Sequence, residues 1–218
     1  MGRFITFEGG DGAGKSTQIQ LLEHYLITQG KTCLTTREPG GTSLGELLRQ
    51  ILLDASSRSI GSRTELFLYL ADRAQHVHEV IAPAIAQGKI VLSDRHSDST
   101  MAYQGYGRGI DLQLLISLNQ IASGGVTPDI TFLLDCPVEV GLSRTAQRKS
   151  GAKKLKGNDR FENENLEFHK KVRQGFLELA RAETGRFYII DASRSEQQVF
   201  AAIKEVIDRR LDLSARKQ

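Results

Sequence analysis

Gly9-Gly10-Asp11-Gly12-Ala13-Gly14-Lys15-Ser16 fits the pattern G-x-x-x-x-G-K-[ST], and its neighbours decide what that pattern means. Before it, Phe4-Ile5-Thr6-Phe7 reads as a short buried strand. After it, Ser16 to Ile27 carries Ile19, Leu22 and Leu26 on one helix face. Strand, glycine loop and helix in that order make a phosphate cradle. The glycines let successive backbone N–H groups turn toward phosphate oxygens, and the helix start adds its positive dipole end. Lys15 neutralises charge and Ser16 offers a hydroxyl to Mg²⁺. Gly9, Gly10, Asp11, Gly12, Ala13, Gly14, Lys15, Ser16 and the adjoining Thr17 are therefore the expected triphosphate-binding segment. A glycine turn without function would not need this flanking context.

Working outward, Thr32 to Thr36, Ile90 to Ser93, Ile130 to Leu134 and Phe187 to Ile190 read as further strands, each flanked by a helical pattern. The alternation predicts an α/β protein whose parallel sheet is covered by helices on both faces. Ligands in such sheets collect at the carboxyl ends of the strands. The longest helical patterns run from Thr64 to Gln87 and from Asn163 to Glu183, with Gly185 as a stop. From Lys149 to Asn158 the chain is polar, basic and interrupted by glycine, which predicts a surface loop. A chain of 218 residues is expected to form one domain over residues 1–212, followed by a polar tail at 213–218 that frays.

The net charge of +3 is mild and not gathered on one face, so nucleic acid is not a favoured partner. No apolar run reaches the roughly 18 residues of a membrane span, and no membrane partner is expected. Cys33 and Cys136 show no Cys-x-x-Cys spacing and no signal peptide precedes the first strand. A reducing, cytoplasmic setting with both thiols buried is the expectation. Met1-Gly2-Arg3-Phe4-Ile5-Thr6 formally fits the N-myristoylation pattern, but Gly2 directly precedes a strand that must be buried and leaves little tail for an acyltransferase.

Three further groups carry chemistry. Arg37-Glu38-Pro39-Gly40-Gly41 follows the second strand and reads either as a tight structural turn or as part of a site, with Arg49 on the next helix able to point into the same cleft. Tyr69 and Arg73 share a helix face, which suits a stacked nucleobase with a guanidinium at its edge; a core tyrosine and a solvated arginine is the competing reading. Asp94-Arg95-His96 ends the third apolar run, placing an acid for a Mg²⁺ hydration shell beside a guanidinium for a phosphate, or else a helix cap. The five histidines have no metal-ligand spacing and are expected in structural or solvated roles.

In order along the chain, the glycine loop, Arg37-Glu38-Pro39-Gly40-Gly41, Asp94-Arg95-His96 with Ser99, Ala102-Tyr103-Gln104 and Gly105-Tyr106-Gly107-Arg108-Gly109 resemble the thymidylate kinases. The resemblance implies a P-loop NTPase three-layer α/β/α fold with a five-stranded parallel sheet. It further implies transfer of the γ-phosphoryl group of Mg-ATP to dTMP, and a homodimer. On matching positions, Asp11 faces the dTMP sugar and phosphate, Arg37 and Arg95 lie at the phosphate, and Pro39, Arg49 and Arg73 border the nucleotide. Tyr69 stands where the family usually has a stacking Phe. Ser99, Thr100 and Gln104 reach the thymine edge, Tyr103 crowds the 2′ position, Arg144 lies on the ATP side, and Asp191 begins the adenine-side loop. Ser16 and Asp94 are the metal-side residues.

Members resembling the eukaryotic form place an Arg directly after the loop acid, where this chain has Gly12. The resemblance to the bacterial form implies that a lid, about residues 144–162, supplies the cation. Arg148 is expected first and Arg160 second, while Lys153, Lys154 and Lys156 read as a solvated face. Lys15, Arg95, Asp94 and a lid arginine make up the expected catalytic set. Short of the resemblance, another monophosphate or nucleoside kinase, or a nucleotide-dependent switch, would share the loop; the chain lacks Asn-Lys-x-Asp, which argues against a GTPase.

Overall fold

Five strands, β1 (Arg3–Glu8), β2 (Cys33–Arg37), β3 (Ile90–Asp94), β4 (Ile130–Asp135) and β5 (Phe187–Asp191), pair in parallel in the order β2-β3-β1-β4-β5. The computed structural model describes residues 2–54, 60–151, 160–161 and 164–213, without the side chains of 148–151. Each strand runs further toward its carboxyl end than the apolar pattern implies, because a polar residue continues the ladder. Glu8, Arg37, Asp94, Asp135 and Asp191 are those terminal residues, and Arg37 pairs in register with Asp94 as Asp135 does with Asp191. The sheet therefore delivers a row of charged groups to one edge.

Both faces are covered, as period-two alternation in a buried parallel sheet requires. Ile5, Phe7, Leu92, Ile130, Phe132 and Leu134 pack beneath α1 (Lys15–Thr28) and α9 (Glu196–Arg210). On the opposite face, Leu133 and Phe187 pack against α8 (Leu166–Ala182) through Phe168, Val172 and Phe176. Phe4 and Val91 meet Val77, Ile81 and Ala84. Gly2 is buried, and a Cβ there would stand 2.4 Å from the Ile85 carbonyl oxygen.

The long helix read from Thr64 to Gln87 has a seam. It consists of α3 (Ser62–His76), a π-helical turn at Val77–Ile81 and α4 (Ala82–Ala86), with Pro83 just beyond the turn. Proline has no N–H to give and crowds the carbonyl one turn back, so the hydrogen bonding is rearranged upstream of it. A second π-helical turn, Met101–Gly107, extends the short α5 (Ser97–Thr100). The chain also forms α2 (Ser43–Leu53), α6 (Leu112–Ser123) and α7 (Val138–Gly151).

Three expectations need correction. Helix α7 continues through Gly151, past the Lys149 at which a loop was expected, because Gln147, Arg148 and Lys149 are good helix formers; 152–159 lie outside the described residues. Leu213 is buried in the core rather than the first residue of a frayed tail, since it closes the apolar surface left by α9; 214–218 lie outside the described residues. Cys136 is buried as expected, but Cys33 is only half-buried, being on the edge strand β2. No helix among the described residues is long and apolar enough to cross a membrane.

Candidate active site

The loop from Gly9 to Gly14 leaves β1 at the centre of the sheet and turns into α1. Gly14 starts that helix at φ 93°, a left-handed conformation that glycine adopts without steric cost, and no side chain caps the first turn. The early N–H groups of α1 thus face the cleft as an anion site. Lys15 is buried and its Nζ donates to the carbonyls of Gly9 (3.2 Å) and Gly10 (3.0 Å). Burial and the nearby Arg95 lower its pKa. Ser16 Oγ donates to Asp94 Oδ2 at 3.0 Å, which joins the hydroxyl and the carboxylate expected to face a metal although they lie 78 residues apart.

Asp94 and Arg95 are neighbours with opposite tasks. Arg95 has φ 73°, a conformation rare for a residue with a Cβ and costing on the order of 1–3 kcal/mol. Its guanidinium donates to Gly9 O (3.0 Å), Ser99 Oγ (3.1 Å), Asp11 Oδ1 (2.7 Å) and the Tyr103 hydroxyl (3.1 Å). Those contacts over-determine its position beside the phosphate loop. Burial alone would lower its pKa, but Tyr103, Asp11 and Asp94 outweigh it and keep the group charged. Burial likewise pushes the Asp11 carboxyl up, yet Arg95 and Lys15 hold it below the usual range. Behind Arg95, the fully buried Glu8 accepts from Ser99 Oγ (2.6 Å) and the His96 N–H (2.8 Å). Burial and the nearby Asp98 push Glu8 up to about 8.

The second half of the cleft grows from β2. The Glu38–Pro39 peptide is cis and both side chains are buried. Glu38 accepts from Arg73 Nε (2.9 Å) and faces His76 Nδ1 (3.1 Å) and His96 Nδ1 (2.9 Å). Burial would raise its pKa, but His96 and Arg73 outweigh that and hold it well below the carboxylate range. Arg73 is 1 % exposed and also donates to Thr100 Oγ1 (3.0 Å) and Asn119 Oδ1 (2.6 Å). The solvated-arginine reading is therefore overturned. Tyr69 lies half-buried at the cleft wall with Phe161, ring centroids 6.3 Å apart. Arg49 donates to the Pro39 carbonyl (2.9 Å), while the exposed Arg37 pairs with Glu46 (2.9 Å) at the rim.

One cleft of about 1130 Å³ joins these groups. Gly12 to Thr17, Asp11, Asp94, Arg95 and Arg144 line it, together with Arg37, Pro39, Arg49, Tyr69, Arg73, Ser99, Thr100, Tyr103 and Gln104. Arg144 donates to the Ala192 carbonyl (2.8 Å) and so marks the end nearest β5. Gly9 and Gly10, at the start of the loop, face a small cavity beside His169 and Cys136 instead.

Some expected residues stand elsewhere. Asp191 does not line the cleft; it is exposed and accepts from Ser193 and Arg194, closing its own turn, while Ala192 and Arg194 line the cleft in its place. Arg160 does not line the cleft either. Its guanidinium is engaged by the fully buried Glu65 and by the Leu52 carbonyl (3.2 Å), because a carboxylate with no access to water needs cationic partners. The side chain of Arg148 lies outside what is described, as do Lys153, Lys154 and Lys156. Sequence reasoning gave no role to Glu38 or Arg108, whose signals were their places inside Arg37-Glu38-Pro39-Gly40-Gly41 and Gly105-Tyr106-Gly107-Arg108-Gly109, or to Glu65, for which no local pattern exists.

Comparison with known proteins places this geometry. Residues 7–203 match the family model described as Thymidylate kinase. The chain is 52% identical over 205 residues to the thymidylate kinase of Desulfovibrio desulfuricans, covering 94% of each chain. It is also 52% identical over 211 residues to that of Geotalea uraniireducens, covering 97% of this chain and 99% of the relative. Among solved structures, thymidylate kinase from Ehrlichia chaffeensis superposes with a TM-score of 0.74 at 36% identity, covering 94% of this chain and 98% of that one.

Proposed function

The chain belongs to the thymidylate kinase family and is an ATP-dependent nucleotide kinase, and we propose how its residues carry the γ-phosphoryl group of ATP to dTMP, giving dTDP and ADP. The observation that carries this reading is the continuous cleft from the phosphate loop, through Arg95, to Tyr69, Arg73 and Gln104. It has room for a donor phosphate chain at one end and a monophosphate with its base at the other.

Phosphoryl transfer asks for alignment and charge neutralisation more than for covalent chemistry. Lys15 and the first-turn N–H groups of α1 bind the donor phosphates. Arg95, fixed by Asp11 and Tyr103, holds the acceptor phosphate near the loop. Tyr69 stacks on the base, and Arg73, Thr100 and Gln104 line its edge. The oxygen donors Ser16 Oγ and Asp94 Oδ2, 3.0 Å apart, suit a hard cation such as Mg²⁺. Bound there, Mg²⁺ would offset phosphate charge. The chain acts as one kinase domain that includes Leu213, in which the segment 144–162 closes as a lid and excludes water, and Arg148 supplies the transition-state cation.

The enzyme works as a cytoplasmic homodimer in this reading. Support comes from Leu44, Leu47 and Ile51, spaced along one side of α2, and Phe67 on the adjoining α3, all large apolar side chains left exposed. Light scattering after size exclusion tests the dimer, with Leu47→Lys expected to weaken it. The catalytic reading is tested by assaying ADP release with Mg-ATP against dTMP, dUMP, dCMP, dGMP and UMP. Preference for dTMP is expected, and equal rates without any monophosphate would overturn it.

A further inference from the structure

Glu65, on α3, is fully buried, and three side chains from two other parts of the chain converge on it. Gln104 Nε2 donates to its Oε1 at 2.9 Å. Arg108 donates to Oε1 through Nε and to Oε2 through Nη2, both at 3.3 Å, and Arg160 Nη2 donates to Oε2. We infer that Glu65 is a positioning residue for base selectivity, fixing the Gln104 amide with its NH₂ inward so that the oxygen is what Gln104 offers to the cleft. The inference rests on dTMP occupying this cleft as described above.

The chemistry leaves Gln104 little choice. A carboxylate between two guanidiniums, which only donate, can only accept. An amide facing it must therefore present NH₂, and an amide has only one oxygen and one NH₂ to distribute. Gln104 is buried along the wall of the cleft, so the remaining atom, Oε1, is the one that can meet a ligand there. Beside it, Arg73 gives Nε to Glu38, both Nη1 hydrogens to Thr100 Oγ1 and Asn119 Oδ1, and pairs through Nη2 with Glu38, which leaves one Nη2 N–H for the cleft. A wall offering one donor next to one acceptor matches a pyrimidine imide, in which the N3–H donor lies beside the C4 carbonyl. Cytosine reverses both, with N3 an acceptor and N4 a donor.

The same carboxylate ties this setting to the far end of the lid. Arg108 lies over the Phe161 ring (5.5 Å) and the Phe168 ring (4.7 Å), and Phe161 packs edge-on against Tyr103 (5.5 Å). Gln104, Tyr103 and the segment carrying Arg160 and Phe161 are thus held through one buried anchor.

The test is steady-state kinetics of the full-length enzyme with Mg-ATP and either dTMP or dCMP, on wild type, Glu65→Gln and Glu65→Asp, with melting curves for all three. Glu65→Gln can donate as well as accept and lets the Gln104 amide turn over. Glu65→Asp keeps the charge for both arginines but withdraws the carboxylate by one methylene. Both variants are expected to raise KM for dTMP about tenfold with kcat within a few-fold of wild type. The kcat/KM preference for dTMP over dCMP should fall about tenfold or more, the scale of one misdirected hydrogen bond in a pocket. An unchanged preference in a folded variant overturns the inference, as does loss of kcat at constant KM. Failure of both variants to fold assigns Glu65 a purely structural role and also overturns it. A wild type that uses dTMP with unchanged selectivity in the variants sinks this inference alone, whereas a wild type inactive on dTMP sinks the functional reading with it.

Discussion

Gly12 of the phosphate loop and Gly141 of α7 meet backbone to backbone. A Cβ on Gly12 would stand 2.1 Å from the Gly141 carbonyl oxygen, and a Cβ on Gly141 would stand 2.4 Å from the Asp11 carbonyl oxygen. Gly12 also has φ 74°. An arginine at position 12 would thus require both a strained backbone and a displaced helix. The close approach of α7 leaves no space for an arginine at position 12, and α7 is the element that carries Arg144 and Arg148.

Gly141→Ala tests that contact with opposed signs. Helix propensity favours alanine by about 1 kcal/mol in a helix interior. The contact with Asp11 predicts the reverse, a lower melting temperature and weaker ATP binding. A stabilised variant with unchanged ATP affinity would show that the loop and α7 do not touch as described.

Lys15→Ala is expected to abolish turnover while the fold persists. Among the described residues the Lys15 ammonium donates to the Gly9 and Gly10 carbonyls, both in the loop itself, so its loss removes little that holds the core. Circular dichroism and a phosphoryl-transfer assay on the same preparation check both halves. Retained kinase activity would refute the assignment of the loop.

Among the lid arginines, Arg148→Ala should lower kcat on the order of 10³-fold with a smaller change in dTMP affinity, the signature of a group acting in the transition state. Arg160→Ala should instead lower stability, because Glu65 loses a partner. Lys154→Ala serves as the control for loop charge. Equal slowing by all three would make the lid a diffuse electrostatic cover.

Tyr103→Phe removes the hydroxyl that accepts from Arg95 (3.1 Å) and keeps the ring that packs on Phe161, Phe168 and Phe176. Tolerance of the ribonucleotide over dTMP should improve by about 1–3 kcal/mol in relative kcat/KM. An unchanged preference would mean that the sugar is read by another residue.

Stability should fall as pH rises from the ordinary glutamate value of 4.5 toward about 8, in the part due to Glu8. Over that window the folded state keeps a proton on Glu8 that the unfolded chain has lost, so folding is favoured below the window and disfavoured above it. Urea titrations of wild type and Glu8→Gln at pH 5 and pH 8.5 read the difference. The wild type should lose more stability than the variant between the two, and parallel losses would contradict a protonated Glu8.

Much of the fold was legible because its signals are local. The glycine loop between Phe4-Ile5-Thr6-Phe7 and the face of Ile19, Leu22 and Leu26 defines strand, loop and helix within a few turns of chain. Buried parallel strands advertise themselves as apolar runs. The site was legible where its residues sit in contiguous motifs at strand ends, as with Lys15, Arg37, Asp94 and Arg95. Pro83 marked a break that helical periodicity passed over, and Arg160 carried no mark of being anchored away from the cleft.

The sequence by itself determined the phosphate loop, the parallel sheet and the family, since each depends on short-range spacing and on motif order. Only the tertiary structure decided which charges face the cleft and which are consumed in holding it. Asp94 reaches Ser16 across 78 residues, Arg73 is bound by Glu38, and Glu65 gathers Gln104, Arg108 and Arg160. Those pairings follow from burial, because a charged group shut away from water must find its partner wherever the fold brings one, however distant in the chain.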